Sequence, residues 1–131
     1  METYVLVDST QRSSGVSNSY VYSLQKVLKG VNKVDLLSAA YPKLTSCTHV
    51  VLDISELKST KNATGGYFGV INNFATTNSN VAYTTNSFYQ QCTEFDNPFD
   101  LDRLTVAWKD PTGNTITMND NSVLLKITHC K

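Results

Sequence analysis

Two stretches near the end of the chain restrict its fold more than any other feature. Residues 103–109 set Leu104, Val106 and Trp108 on one side of an extended backbone, and residues 122–128 do the same with Val123, Leu125 and Ile127. Successive side chains of a strand point to opposite faces, so a period of two buries one face and leaves the other wet. Between them, Asp110-Pro111-Thr112-Gly113-Asn114 spells a turn. Proline presets φ near about −65° and glycine tolerates positive φ. A short strand over 115–118 should follow that turn.

The same reading extends to the rest of the chain. Residues 3–8 read as a strand with Val5 and Val7 on one face, followed by a polar loop over 8–15. Tyr20, Tyr22 and Leu24 alternate in the next strand. A turn is expected around Lys29-Gly30, then a long strand over 31–41 that Pro42 ends, because proline cannot donate to the ladder. Further strands are expected over 49–54 and 67–71, the second with Gly69 inside it. A long polar loop over 72–86 has room for a short strand at 81–83. Residues 87–95 alternate weakly, and Asn97-Pro98 is a turn signal. Many short strands without βαβ alternation predict an all-β sandwich or barrel.

The bulk numbers narrow the function. A chain of 131 residues fits one domain, taken as 1–131. Eleven basic residues balance eleven acidic ones, and no basic run exists. That argues against direct nucleic-acid binding, which needs a basic face. Charged residues make up 17%, below the usual share of about a quarter, and Ser, Thr and Asn take their place. No secretion signal and no membrane span is legible. Three cysteines, Cys47, Cys92 and Cys130, give no disulfide framework and point to a reducing compartment.

Catalytic constellations are hard to assemble. Gly-x-Ser-x-Gly is absent, and a Ser/His/Asp triad would have to use His49 or His129. Cys47, His49, His129 and Cys130 are ligand types suited to zinc, but their spacing fits no finger pattern, and strand neighbours face opposite ways. Glu94, Asp96, Asp100 and Asp102 could pair as acid and base or hold calcium, though turn-forming residues on a solvated loop account for them. Asn62-Ala63-Thr64 matches a glycosylation acceptor and is taken as chance without a signal peptide. The expectation is therefore no enzyme, no metal and no cofactor. Tyr83, Phe88 and Tyr89 flank the polar loop and are candidates for packing, a partner contact or a ligand platform.

Val7-Asp8-Ser9 with Arg12, then 20–24, then Val31, Val34, Leu36, Ser38, Ala39 and Pro42 form one recognisable series. Leu104-Thr105-Val106, the turn 110–114 and Leu124-Leu125-Lys126-Ile127 form a second. In this order they resemble the single jelly-roll penton and minor capsid proteins of large icosahedral double-stranded DNA viruses. The likeness spans the first third and the last quarter of the chain. It implies an eight-stranded single jelly-roll β-sandwich and a homopentamer at the fivefold vertices. It also implies contacts with the major capsid protein and other minor capsid proteins, with assembly in the host cytoplasm and residence in the virion. No catalytic residue comes with it.

Beside that resemblance, Asp8 and Arg12 are candidates for a local ion pair that shapes a loop at a subunit edge. Tyr20 and Tyr22 are candidates for subunit contacts if their face points outward. The competing expectations are another minor capsid, cement or attachment-fibre domain, or, in a different class, a carbohydrate-binding β-sandwich using Tyr83 or Tyr89.

Overall fold

A computed structural model describes residues 1–42, 49–57, 68–72, 80–84 and 91–130. The described elements are β1 (Glu2–Asp8), β2 (Ser14–Val16), β3 (Ser19–Pro42), β4 (His49–Ile54), β5 (Gly69–Asn72), β6 (Asn80–Thr84), β7 (Gln91–Lys109) and β8 (Ser122–Thr128). Single 3-10 turns follow β1 and β4. Every strand pairing is antiparallel, in the order β1-β8-β3-β7-β4-β5, with β2 and β6 also on β3.

β3 and β7 organise the molecule. The first part of β3, Ser19–Ser23, pairs with Ala107–Arg103 of β7, and a later part, Lys33–Leu36, pairs with Glu94–Gln91 of the same strand. Between these two ladders the register shifts three times. Four residues of β3, 24–27, stand against Asp102 alone, and four of β7, 95–98, stand against Asn32 alone. Unpaired residues of this kind bend a strand and increase its twist. Both long strands therefore fold over and contribute to two layers. One layer joins β1, β8, the second part of β3, the first part of β7 and β6. The other joins β2, the first part of β3, the second part of β7, β4 and β5.

The inward faces of the two layers form one core. Val5, Val7, Val34, Leu36, Val123, Leu125 and Ile127 meet Tyr20, Leu52, Ile54, Leu104, Val106 and Trp108. The rings of Tyr41, at the end of β3, and Trp108, near the end of β7, lie 5.3 Å apart between centroids. The fold is thus an antiparallel β-sandwich without an α-helix among the described residues. No helix among them is long and apolar enough to cross a membrane.

Two expected turns are not turns. Gly30 has φ +62°, and its N–H donates to Asp100 at 3.1 Å while β3 continues through it. Asn97-Pro98 lies inside β7, in the four-residue stretch that stands against Asn32 of β3 alone. Phe95 and Phe99 stack edge to face across that stretch, with centroids 5.0 Å apart. Glycine and proline each mark an interrupted ladder, but here the chain bends without reversing. The expected strand over 115–118 shrinks to a single bridge, Lys109 to Thr115. The turn before it forms as expected, with Asp110 accepting from the N–H groups of Thr112 and Asn114. Bonds from Thr112 and Asn114 hold the Asp110 carboxyl below the ordinary carboxylate range.

Candidate interaction surface

The opening loop is built on four hydrogen bonds. Asp8 ends β1 and accepts hydrogen bonds from the Thr10 N–H at 2.9 Å and the Thr10 hydroxyl at 2.8 Å. Arg12 donates through Nε to the Gly15 carbonyl at 3.0 Å and through a terminal nitrogen to the Ser9 carbonyl at 2.7 Å. Gly15 adopts φ +94°, and a Cβ there would run into the Ser19 carbonyl oxygen. The expected ion pair between Asp8 and Arg12 does not form. Each side chain instead satisfies backbone groups, because a loop turning this tightly leaves amides and carbonyls without ladder partners.

Beneath the loop lies a polar knot that the sequence did not reveal. Asn121 is 4% exposed. Its Oδ1 accepts from the Trp108 indole N–H at 2.9 Å and the Tyr20 hydroxyl at 3.1 Å. Its Nδ2 donates to the Ser17 carbonyl at 2.7 Å and the Asn119 carbonyl at 3.0 Å. Its backbone exchanges bonds with Ser9 in both directions. Tyr20 is therefore a core residue, not an outward contact, and burial followed by the charge of Asp8 pushes its hydroxyl above the ordinary tyrosine range. Tyr22 sits on the same face of β3, but nearer the bend, and is only partly buried.

Tyr22 and Asp8 do come together, on the wall of an open groove of about 760 Å³. One wall is β1, with Tyr4, Val5 and Leu6. The facing wall is the bent part of β3, with Tyr22, Leu24 and Leu28. Tyr4 and Leu6 are 60% and 55% exposed, although their strand neighbours Val5 and Val7 belong to the core. Among the described residues β1 pairs with β8 alone, and no described strand takes its other edge. The signal for this surface was present in the unbroken apolar run Tyr4-Val5-Leu6-Val7. Such a run reads as a strand covered on both faces.

The remaining candidates separate. Tyr83 lies in β6 opposite Ala39, whereas Phe88, Tyr89 and Cys47 fall outside the described residues. His49 is exposed on β4. His129 is buried beside the chain start, with Nε2 at 2.7 Å from the Thr3 hydroxyl and Nδ1 at 2.6 Å from the Cys130 carbonyl oxygen. Among the described residues no three His, Cys, Asp or Glu side chains gather as a metal site would require. Asp100 pairs with Lys29 at 3.2 Å rather than with another carboxylate.

No protein-family model and no curated protein sequence matches the chain. Among solved structures it is similar to the CBM36-1 domain of a multidomain xylanase from the hindgut metagenome of Trinervitermes trinervoides. That match has 13% identity and a TM-score of 0.41, over 98% of this chain and 99% of that one. It is also similar to a virus-like particle of the giant freshwater prawn Macrobrachium rosenbergii extra small virus. There the identity is 15% and the TM-score 0.32, over 100% of this chain and 80% of that one. Likenesses this distant carry no argument about function.

One buried charge lies on the face opposite the core. Asp35 is fully buried between β7 and β8, and its carboxylate lies 3.6 Å from the Lys126 ammonium. The thiol of its cross-strand neighbour Cys92, an exposed residue, is pushed up to about 11, first by desolvation and then by the carboxylate of Asp35 beside it. A thiol must lose its proton to be alkylated. At pH 8 only about one Cys92 in a thousand should be thiolate, against about a quarter of unperturbed thiols. Iodoacetamide labelling read by mass spectrometry should therefore be slow at Cys92 and accelerate toward pH 11. Asp35→Asn should speed it at pH 8.

Proposed function

We propose that this chain is a structural subunit of an icosahedral virus shell, a vertex protein that closes into homopentamers. In this reading its fold is the eight-stranded jelly roll, and its neighbours are the major capsid protein and other minor capsid proteins. It works in the virion, after assembly in the host cytoplasm. The observation that supports this best is where the sequence likeness falls in space. The stretches of the first third lie on β1, the loop after it and β3, and those of the last quarter lie on β7, the turn after it and β8. In the sandwich these become neighbours: β1 beside β8, β8 beside β3, β3 beside β7. The Asn121 knot ties the loop after β1 to the segment before β8. The segments that resemble the vertex proteins thus form one continuous frame.

A ring needs heterologous contacts, in which one side of a subunit meets a different side of the next. The loop after β1 suits such an edge, since its shape is fixed from within and the β2 strand that continues it presents Val16, 59% exposed. The measurement is the native mass in solution, alone and with the major capsid protein. The expected particle has five times the 14.5 kDa chain mass and a ring outline by electron microscopy. A monomer under both conditions contradicts the reading. Glycan binding that disappears in Tyr83→Ala or Tyr89→Ala would replace it with a carbohydrate-binding module.

A further inference from the structure

The edge of β1 combines three properties that together describe a missing strand. Alternate residues of an edge strand aim their N–H and C=O groups away from the sheet, as a template for another chain. Natural edges are usually blunted by proline, by lysine or by a covering loop. β1 has neither residue, spans seven residues, and pairs with β8 alone among the described residues. Beside it runs the groove, with Tyr22, Leu24 and Leu28 on the far wall, which gives an added strand somewhere to place alternate apolar side chains.

Charge selects the occupant. The strand reads Glu-Thr-Tyr-Val-Leu-Val-Asp, with one acid at each end. Two copies of β1 paired antiparallel about Val5 would set Glu2 against Asp8 twice, and like charges directly opposite destabilise a ladder. A strand with a basic residue at each end meets opposite charges in either orientation. Lys26 also lines the groove, on the wall that faces β1.

We infer that β1 accepts, by strand addition, an extended apolar peptide segment of another protein that carries lysine or arginine at both ends. Main-chain bonds to the open edge supply affinity, and the groove with the two flanking acids supplies selectivity. The inference does not depend on fivefold closure. It holds or fails for a monomer as for a ring.

The test uses the whole protein and a fluorescein-labelled peptide, Lys-Val-Thr-Val-Thr-Val-Lys, followed by anisotropy. Binding is expected, about tenfold weaker when both lysines are replaced by glutamate and weaker again in high salt. Leu6→Lys should abolish binding while circular dichroism and melting stay unchanged, because Leu6 is more than half exposed. Glu2→Lys should narrow the difference between the two peptides. No binding, equal binding of both peptides, or an unaffected Leu6→Lys variant would each overturn the inference. An oligomer that excludes the peptide and dissociates in Leu6→Lys would also overturn it, by giving β1 to a second copy.

Discussion

Asn121→Ala should destabilise the protein by about 4 kcal/mol, the largest effect expected of any single polar substitution here. The alanine leaves the Tyr20 hydroxyl, the Trp108 indole N–H and the carbonyls of Ser17 and Asn119 without their present partner. Two of these groups belong to side chains at most 2% exposed, where water cannot replace the lost bond. Each buried polar group left unpaired costs about 1–3 kcal/mol. Asn121→Asp separates the two halves of the knot. It keeps the acceptor for Tyr20 and Trp108 but turns the donor toward Ser17 and Asn119 into a second acceptor. Urea unfolding followed by tryptophan fluorescence measures both, since Trp108 is the only tryptophan. A loss below about 1 kcal/mol for the alanine variant would mean that the knot adds little to stability.

The second large effect is expected at Asp35. Lys126→Met should cost about 3 kcal/mol, because it removes the cation beside a fully buried carboxylate. Neither carboxylate oxygen receives an N–H or O–H hydrogen bond among the described residues. Breaking a buried pair leaves an uncompensated charge, whereas replacing both partners by apolar groups is often neutral. The double variant Asp35→Leu, Lys126→Met should therefore recover most of the loss. A double-mutant cycle in urea reads the difference directly. If the double variant is as unstable as the single one, the cost comes from lost packing of the lysine stem rather than from the stranded charge.

Much of this frame was legible in the residues. The strands over 49–54 and 122–128 match the observed β4 and β8. The exceptions lie in the punctuation. Gly30 and Asn97-Pro98 signal reversals, yet the residues on either side continue to pair with the same opposite strand. A local signal tells that the ladder breaks, and only the long-range partner decides whether the chain turns back.

The candidate surface was less legible, for a related reason. Tyr20, Tyr22 and Leu24 do share a face, but alternation does not say which side that face takes, and burial then decreases along β3 toward the bend. Asn121 sits in a polar stretch that looks like any turn. Its value depends on Tyr20 and Trp108, which arrive from distant parts of the chain. Tyr4 and Leu6 alternate with the inward Val5 and Val7, so the strand pattern alone marks only the inward pair.

The bent strands carry a mechanical consequence. In a sandwich of separate sheets, a force that parts the layers works against side-chain contacts, which slide and reopen. Here β3 and β7 cross from one layer to the other as unbroken backbone. A load applied to one layer passes into the other along covalent bonds, and parting them requires unzipping the ladder on which both depend. The two faces of the molecule should therefore yield together under load rather than one at a time.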